Sequence, residues 1–204
     1  MKIKVYFAPN RQPFTEPTGS RIVGFGSELG PIGGLNVRYG SADVEVNLKA
    51  RTNVMVASSL NVADEQLIFP EGATPQLGSN TDALRNDMLA SKRPTIAFIH
   101  GFSNSFINAI ERAGWISAFY GMDANMFVFT WPSIASPLGV PLPYSDYAHD
   151  RGTASASGPA VARTIRDCTT MSTPCPKNCV ASRASICFAT AWATTCSETH
   201  CRLF

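Results

Sequence analysis

The chain has 204 residues, 45% of them apolar and 16% charged, with a formal net charge of +2. This composition fits one globular domain with a sizeable core and excludes a disordered chain, while the near balance of charge and the lack of any basic run exclude a nucleic-acid footprint. The N-terminus, MKIKVYFAPN, alternates like a strand and has neither the apolar block nor the small-residue cleavage site of a signal peptide, so a cytoplasmic location with no membrane partner is expected.

Ile3 to Phe7 reads as a first strand, ended by the loop Ala8-Pro9-Asn10-Arg11-Gln12-Pro13. Residues 14–34, rich in Gly and Pro, read as an irregular surface excursion. Neither Gly24-Phe25-Gly26 nor Gly33-Gly34 precedes a helix, so a phosphate-binding loop is not expected there. Leu35, Val37 and Tyr39 alternate, as do Val44, Val46 and Leu48; with Gly40-Ser41 between them they predict a hairpin. Further on, Gln66 to Phe69 predicts a strand. Asp82 to Leu89 predicts a helix, with Asn80 or Thr81 as its cap.

The most informative stretch is PTIAFIHGFSNSF, Pro94 to Phe106. Thr95 to Ile99 is an uncharged run of mostly β-favouring residues, as expected of a central parallel strand covered on both faces. From Phe106 the period changes, and Ile107, Ile110, Ala113, Ile116 and Ala118 fall near one face of a helix running to Phe119. Met126 to Thr130 is a second apolar strand, one βαβ crossover away from the first. A His-Gly loop after a buried strand can present backbone N–H groups to a developing oxyanion; the alternative is a glycine that serves a turn beside a buried, satisfied histidine. Pro132 to Pro143 then reads as a loop, and Tyr144 to Arg151 as a polar, aromatic turn before a small-residue helix, Ala154 to Arg166. His149 and Asp150, adjacent in sequence, point apart on a helix, so Asp150 is expected at a solvated helix start.

AFIHGFSNSF, then FVFTWPS, then a Tyr/Asp-Arg element before a small-residue helix, preceded by VYFAPNRQP, resembles a bacterial family of uncharacterised α/β-hydrolases over Lys2 to Arg166. The resemblance implies an α/β fold: an incomplete α/β-hydrolase-like mixed sheet flanked by helices, in a chain short for a complete member. It implies a serine esterase or acyl-hydrolase lineage acting on a small ester or acyl substrate, with no cofactor and no metal. The expected oxyanion donors are the N–H groups of Gly101 and Phe102, beside a pocket lined by His100, Ser103, Trp131 and Tyr144. A His-Ser-Met-Gly type nucleophile elbow should follow, but no G-x-S-x-G or H-S-x-G occurs, so no catalytic residue is assigned.

The chain changes character where that elbow should be, which divides it into residues 1–167 and a tail, 168–204. All six cysteines (Cys168, Cys175, Cys179, Cys187, Cys196, Cys201) lie in the tail, with seven threonines, one leucine and no glycine. Joining the third base of each codon to the first two of the next changes this. Asp167-Cys168, Asn178-Cys179 and His200-Cys201 each then force a leucine, and Trp192-Ala193 forces a glycine. The same frame permits Leu-His-Asp-Tyr-Val-Asp-Ala-Leu-Pro at the start, and Ile-His-Leu-Leu-Cys-His-Ser-Met-Gly-Asn ending just past the forced glycine. A frameshift near Arg166 is therefore one reading, under which the tail as written should pack poorly and leave the sheet edge uncovered. The other is a non-catalytic binding protein whose tail is a disulfide or zinc module using Cys175, Cys179, Cys196, Cys201 and His200, although the spacing is marginal for structural zinc.

Overall fold

The computed structural model describes residues 1–19, 21–63, 79–134, 144–172 and 186–190. Strands β1 (Lys2–Pro9), β4 (Gly40–Asn47), β5 (Thr52–Met55), β6 (Asn61–Val62), β7 (Thr95–Ile99), β8 (Asn125–Thr130) and β9 (Ile186–Thr190) form one seven-stranded sheet. Its order is β5-β4-β1-β8-β7-β9, with β6 on the same side of β4 as β5. β1, β8, β7 and β9 run parallel, with Val5 opposite Met126 and Ile96 opposite both Met126 and Cys187, whereas β4 is antiparallel to β1. A separate ribbon pairs β2 (Arg11–Thr15) with β3 (Ile22–Leu29). Helices α1 (Ser79–Ala90), α2 (Phe106–Phe119), α3 (Tyr144–Ala156) and α4 (Gly158–Ser172) flank the sheet.

Alternation along the strands divides the core between the two faces. Val5, Phe7, Met126 and Val128 point to one side, where they meet Phe106, Ala109, Ile110 and Ala113 of α2 and Phe25 of β3. Tyr6, Ala8, Phe127 and Phe129 point to the other, against Leu84 and Met88 of α1 and Ala160 of α4. β1, β7 and β8 are thus covered on both sides, which is why β7 and β8 read as unbroken apolar runs.

Strands β1, β7 and β8 and helices α1 and α2 stand where the sequence predicts them, except that α1 begins at Ser79, which puts Asn80 and Thr81 inside the helix and not at its cap, and β7 and β8 are parallel neighbours joined through α2. Other expectations need correction. The hairpin is not built from residues 35–39: β4 begins at Gly40 and turns into β5, and Val37 and Tyr39 are buried in an extended approach to it. Gly40 serves close packing and not a turn, since a Cβ there would meet the Phe7 ring at 2.5 Å. Residues 14–34 are not irregular throughout, because the ribbon β2–β3 runs through them and inserts Phe25 against Phe7 and Phe106. Tyr144 to Arg151 is helical and not a turn. Within α2 the covered face is Phe106, Ala109, Ile110, Ala113, Gly114 and Ser117, while Ile107 is 48% exposed. The tail does supply an edge strand, β9, and α4 continues through the 167/168 boundary. The predicted strand Gln66 to Phe69 lies outside the described residues.

Gly114 shows how closely α2 lies on the sheet, for a Cβ there would fall 2.7 Å from the Cβ of buried Val44. Alanine is the better helix former by about 1 kcal/mol, yet forcing a methyl into a packed contact costs about 1–3 kcal/mol. Gly114→Ala should therefore lower the unfolding free energy by up to about 2 kcal/mol, read from the denaturant midpoint. A raised midpoint would show that α2 can lift from β4 without loss.

Candidate functional site

Three parallel strands end side by side, so the residues that follow each of them must meet. Asn10 and Arg11 follow β1, Trp131-Pro132-Ser133 follow β8, and His100 and Gly101 follow β7. The carboxyl ends of parallel strands are where α/β sheets place their ligand sites. Here the ends are bound together by a buried polar cluster.

Arg11 is at its centre, 3% exposed. Its Nε donates to Thr130 Oγ1 (2.7 Å), its Nη1 to Gly26 O (3.0 Å) and its Nη2 to Asn104 O (2.8 Å), while Nη2 also lies 3.3 Å from His100 Nε2. Burial pushes the guanidinium down to about 9, opposed by the field of Asp150, so it stays cationic at neutral pH. None of the ion pairs among the described residues involves Arg11.

His100 is 1% exposed and stacks on Trp131, with ring centroids 5.2 Å apart. Its Nδ1 lies 2.8 Å from Gly101 O, which can only accept, so Nδ1 carries the proton and Nε2 accepts from Arg11. Burial first, and the Arg11 charge second, hold the imidazole down to about 3. His100 is thus a buried, hydrogen-bonded, neutral histidine. The indole Nε1 of Trp131 donates to His100 O (2.9 Å), which fixes the backbone at the start of the loop.

The rest of the loop is folded by its own asparagine. Asn104 Nδ2 donates to Gly101 O (3.1 Å) and Phe102 O (2.7 Å), while Ser103 adopts a left-handed φ of 57° between them. Ser105 then caps α2, its hydroxyl accepting from Asn108 N–H (3.1 Å). The Asn104 N–H donates to Ser133 Oγ (3.3 Å), whose hydroxyl donates to Asp150 Oδ2 (2.5 Å). Asp150 Oδ1 also accepts from Ile134 N–H (2.9 Å). Asp150 is fully buried, which overturns the solvated helix start expected for it; His149 is the exposed member of that pair.

Of the residues singled out in the sequence, His100 and Trp131 lie beneath the loop, and Phe102 and Ser103 are half-buried in it. The Phe102 ring packs between Trp131 (5.9 Å) and Tyr147 (5.0 Å). Tyr144 is the first residue of α3, its side chain outside the described set, and Tyr147 is the tyrosine that reaches the loop. Sequence reasoning missed Arg11, Asn104, Ser133 and Asp150. Asn10-Arg11 was visible directly after a strand parallel to the other two, and that adjacency was the available signal. Of the six cysteines only Cys168 has a described side chain, and it is buried; the groups Cys175, Cys179, Cys196, Cys201 and His200 lie outside the described residues.

A mixed sheet flanked by helices, with a His-Gly loop and a helix N-terminus at the carboxyl ends of its parallel strands, is an α/β fold with its candidate site at those ends. Residues 77–175 match the model of a family described as alpha/beta hydrolase of unknown function (DUF900), in agreement with the resemblance read from the sequence. The match takes in α1 through α4, whereas Arg11 and β9 lie outside it. No curated protein and no solved structure matches the chain. No described helix is long and apolar enough to cross a membrane.

Proposed function

We propose that this chain derives from a serine hydrolase lineage that cleaves small esters or acyl groups, and that its written form has lost the nucleophile through a frameshift near Arg166. In the intact mechanism a serine attacks the carbonyl, a histidine takes its proton, and the N–H groups of Gly101 and Phe102 hold the oxyanion. The observation that carries this reading is the register of β9. Thr190, its last residue, pairs with Ile99, which immediately precedes His100. In the alternative frame the serine of the permitted His-Ser-Met-Gly falls across codons 190 and 191. The end of a parallel strand beside the His-Gly loop is where a nucleophile elbow belongs.

The test is a pair of proteins: the chain as written, and one returned to the alternative frame near codon 166 and extended to the stop of that frame. Both are treated with an activated ester and a serine-directed fluorophosphonate. Hydrolysis and labelling are expected of the restored protein only, with both abolished when the elbow serine is replaced by alanine. Equal labelling of the chain as written would overturn the proposal.

A further inference from the structure

Arg11 spends two of its contacts on the scaffold and turns the remaining edge of its guanidinium to the loop. Nε is held by Thr130 at the end of β8 and Nη1 by Gly26 in β3, which fixes the plane of the group from two independent elements. Nη2 is then the edge that faces both Asn104 O and His100 Nε2. We propose that Arg11 is the positioning residue of the 100–104 loop, a rigid fork that fixes the Asn104 carbonyl and the His100 ring relative to the sheet and thereby aims the Gly101 and Phe102 N–H groups. The last clause rests on the hydrolase reading; the clamp itself does not.

Two features favour this role over stability alone. A buried cation is an expensive way to fill space, and an apolar side chain of similar volume would serve packing as well or better. Moreover, the two Nη2 acceptors lie at opposite ends of the loop, and a planar, delocalised fork imposes one geometry on both where a lysine ammonium could not. Other restraints act on single points of the loop: Asn104 Nδ2 ties the Gly101 and Phe102 carbonyls, Trp131 holds the His100 carbonyl, Ser133 holds the Asn104 N–H, and Tyr147 packs on the Phe102 ring.

The experiment uses the chain as written, with Arg11→Met, Arg11→Lys and Thr130→Val, and follows the His100 ring nitrogens and amide hydrogen exchange by NMR. In Arg11→Met the loss of the neighbouring cation should raise the His100 titration midpoint, and the Asn104 amide should exchange at least about tenfold faster while β1 and β8 amides keep their protection. Arg11→Lys keeps the charge, so the midpoint should stay low, yet the Asn104 amide should exchange as in Arg11→Met. Thr130→Val retains the guanidinium but frees its plane, and should loosen the same amide if Arg11→Met does not fold. Wild-type protection of the Asn104 amide in the variants, or exchange that rises evenly across the sheet, would overturn the clamp. In the frame-restored enzyme Arg11→Lys should lower kcat about 100-fold with KM within about twofold, as expected for misaimed donors. An inactive restored enzyme would defeat the hydrolase reading while the exchange data still judge Arg11.

Discussion

Asp150→Ala is expected to remove about 3–5 kcal/mol of stability, enough to unfold much of the population of a domain whose total is on the order of 5–15 kcal/mol. Three losses combine. The Ser133 hydroxyl and the Ile134 N–H, bonded to the carboxylate at 2.5 and 2.9 Å, would be left without that acceptor in a site closed to solvent. A cavity would open in α3, where Asp150 is fully buried. The third loss is remote, because the Asp150 carboxylate is the charge that supports the buried Arg11 cation. Asp150→Asn keeps the shape and one acceptor, so about 1–3 kcal/mol is expected from it. Urea unfolding of the three proteins decides the matter, and an Asp150→Ala midpoint within experimental error of wild type would show that the cluster does not act as one unit.

Much of this fold was legible because its signals are local. β7 and β8 are uncharged β-favouring runs, and α2 carries its own N-cap in Ser105, so period and composition suffice to locate them. Several of the readings that failed required knowledge of a partner distant in sequence. Leu35, Val37 and Tyr39 alternate as a strand would, but the partner they would have needed is taken, since β4 bonds β1 on one side and β5 on the other, and Arg38 N–H donates to Pro9 O at the end of β1. Ile107 belongs to the apolar set of α2 by sequence and faces solvent, while Gly114, silent in a hydrophobic pattern, lies at the closest contact with β4.

The site was half legible for the same reason. His100, Gly101 and Phe102 could be placed together in one loop after β7 because they are adjacent in sequence. Arg11, Ser133 and Asp150 acquire meaning only when strand order brings residues 11, 100, 104, 133 and 150 together, a distance of 139 positions along the chain from Arg11 to Asp150. Asp150 misled most directly. An acidic residue in the first turns of a helix is ordinarily solvated and worth a few tenths of a kcal/mol through the helix dipole, and nothing local marks the one that is buried instead.

His100 sets the second large effect, an acid transition in the chain as written. In the unfolded chain its imidazole takes a proton near pH 6.5, whereas in the folded protein burial and the Arg11 charge hold it down to about 3. Between those values the unfolded state binds one proton more than the folded state, so stability falls as the pH falls. The full window of about three and a half pH units, at about 1.4 kcal/mol each, is worth on the order of 5 kcal/mol. Asp167 works the other way: burial raises its carboxyl, so the folded state takes up a proton earlier than the unfolded chain and regains some stability on acidification. The His100 effect exceeds it because its burial is reinforced by the Arg11 charge and only partly offset by hydrogen bonds with the backbone of Gly101 and Trp131, whereas the burial of Asp167 is opposed by Tyr39, which donates to its Oδ2 at 2.6 Å, and by the charges of Arg163 and Arg166. Unfolding free energy measured from pH 7 to pH 3 should therefore decline most steeply between about pH 6 and pH 4, and His100→Gln should flatten that decline by up to about one proton's slope, while starting from a lower plateau because the Trp131 stack is lost. An unchanged slope in His100→Gln would mean that the ring titrates in the folded state, and that the Arg11 contact does not hold it neutral.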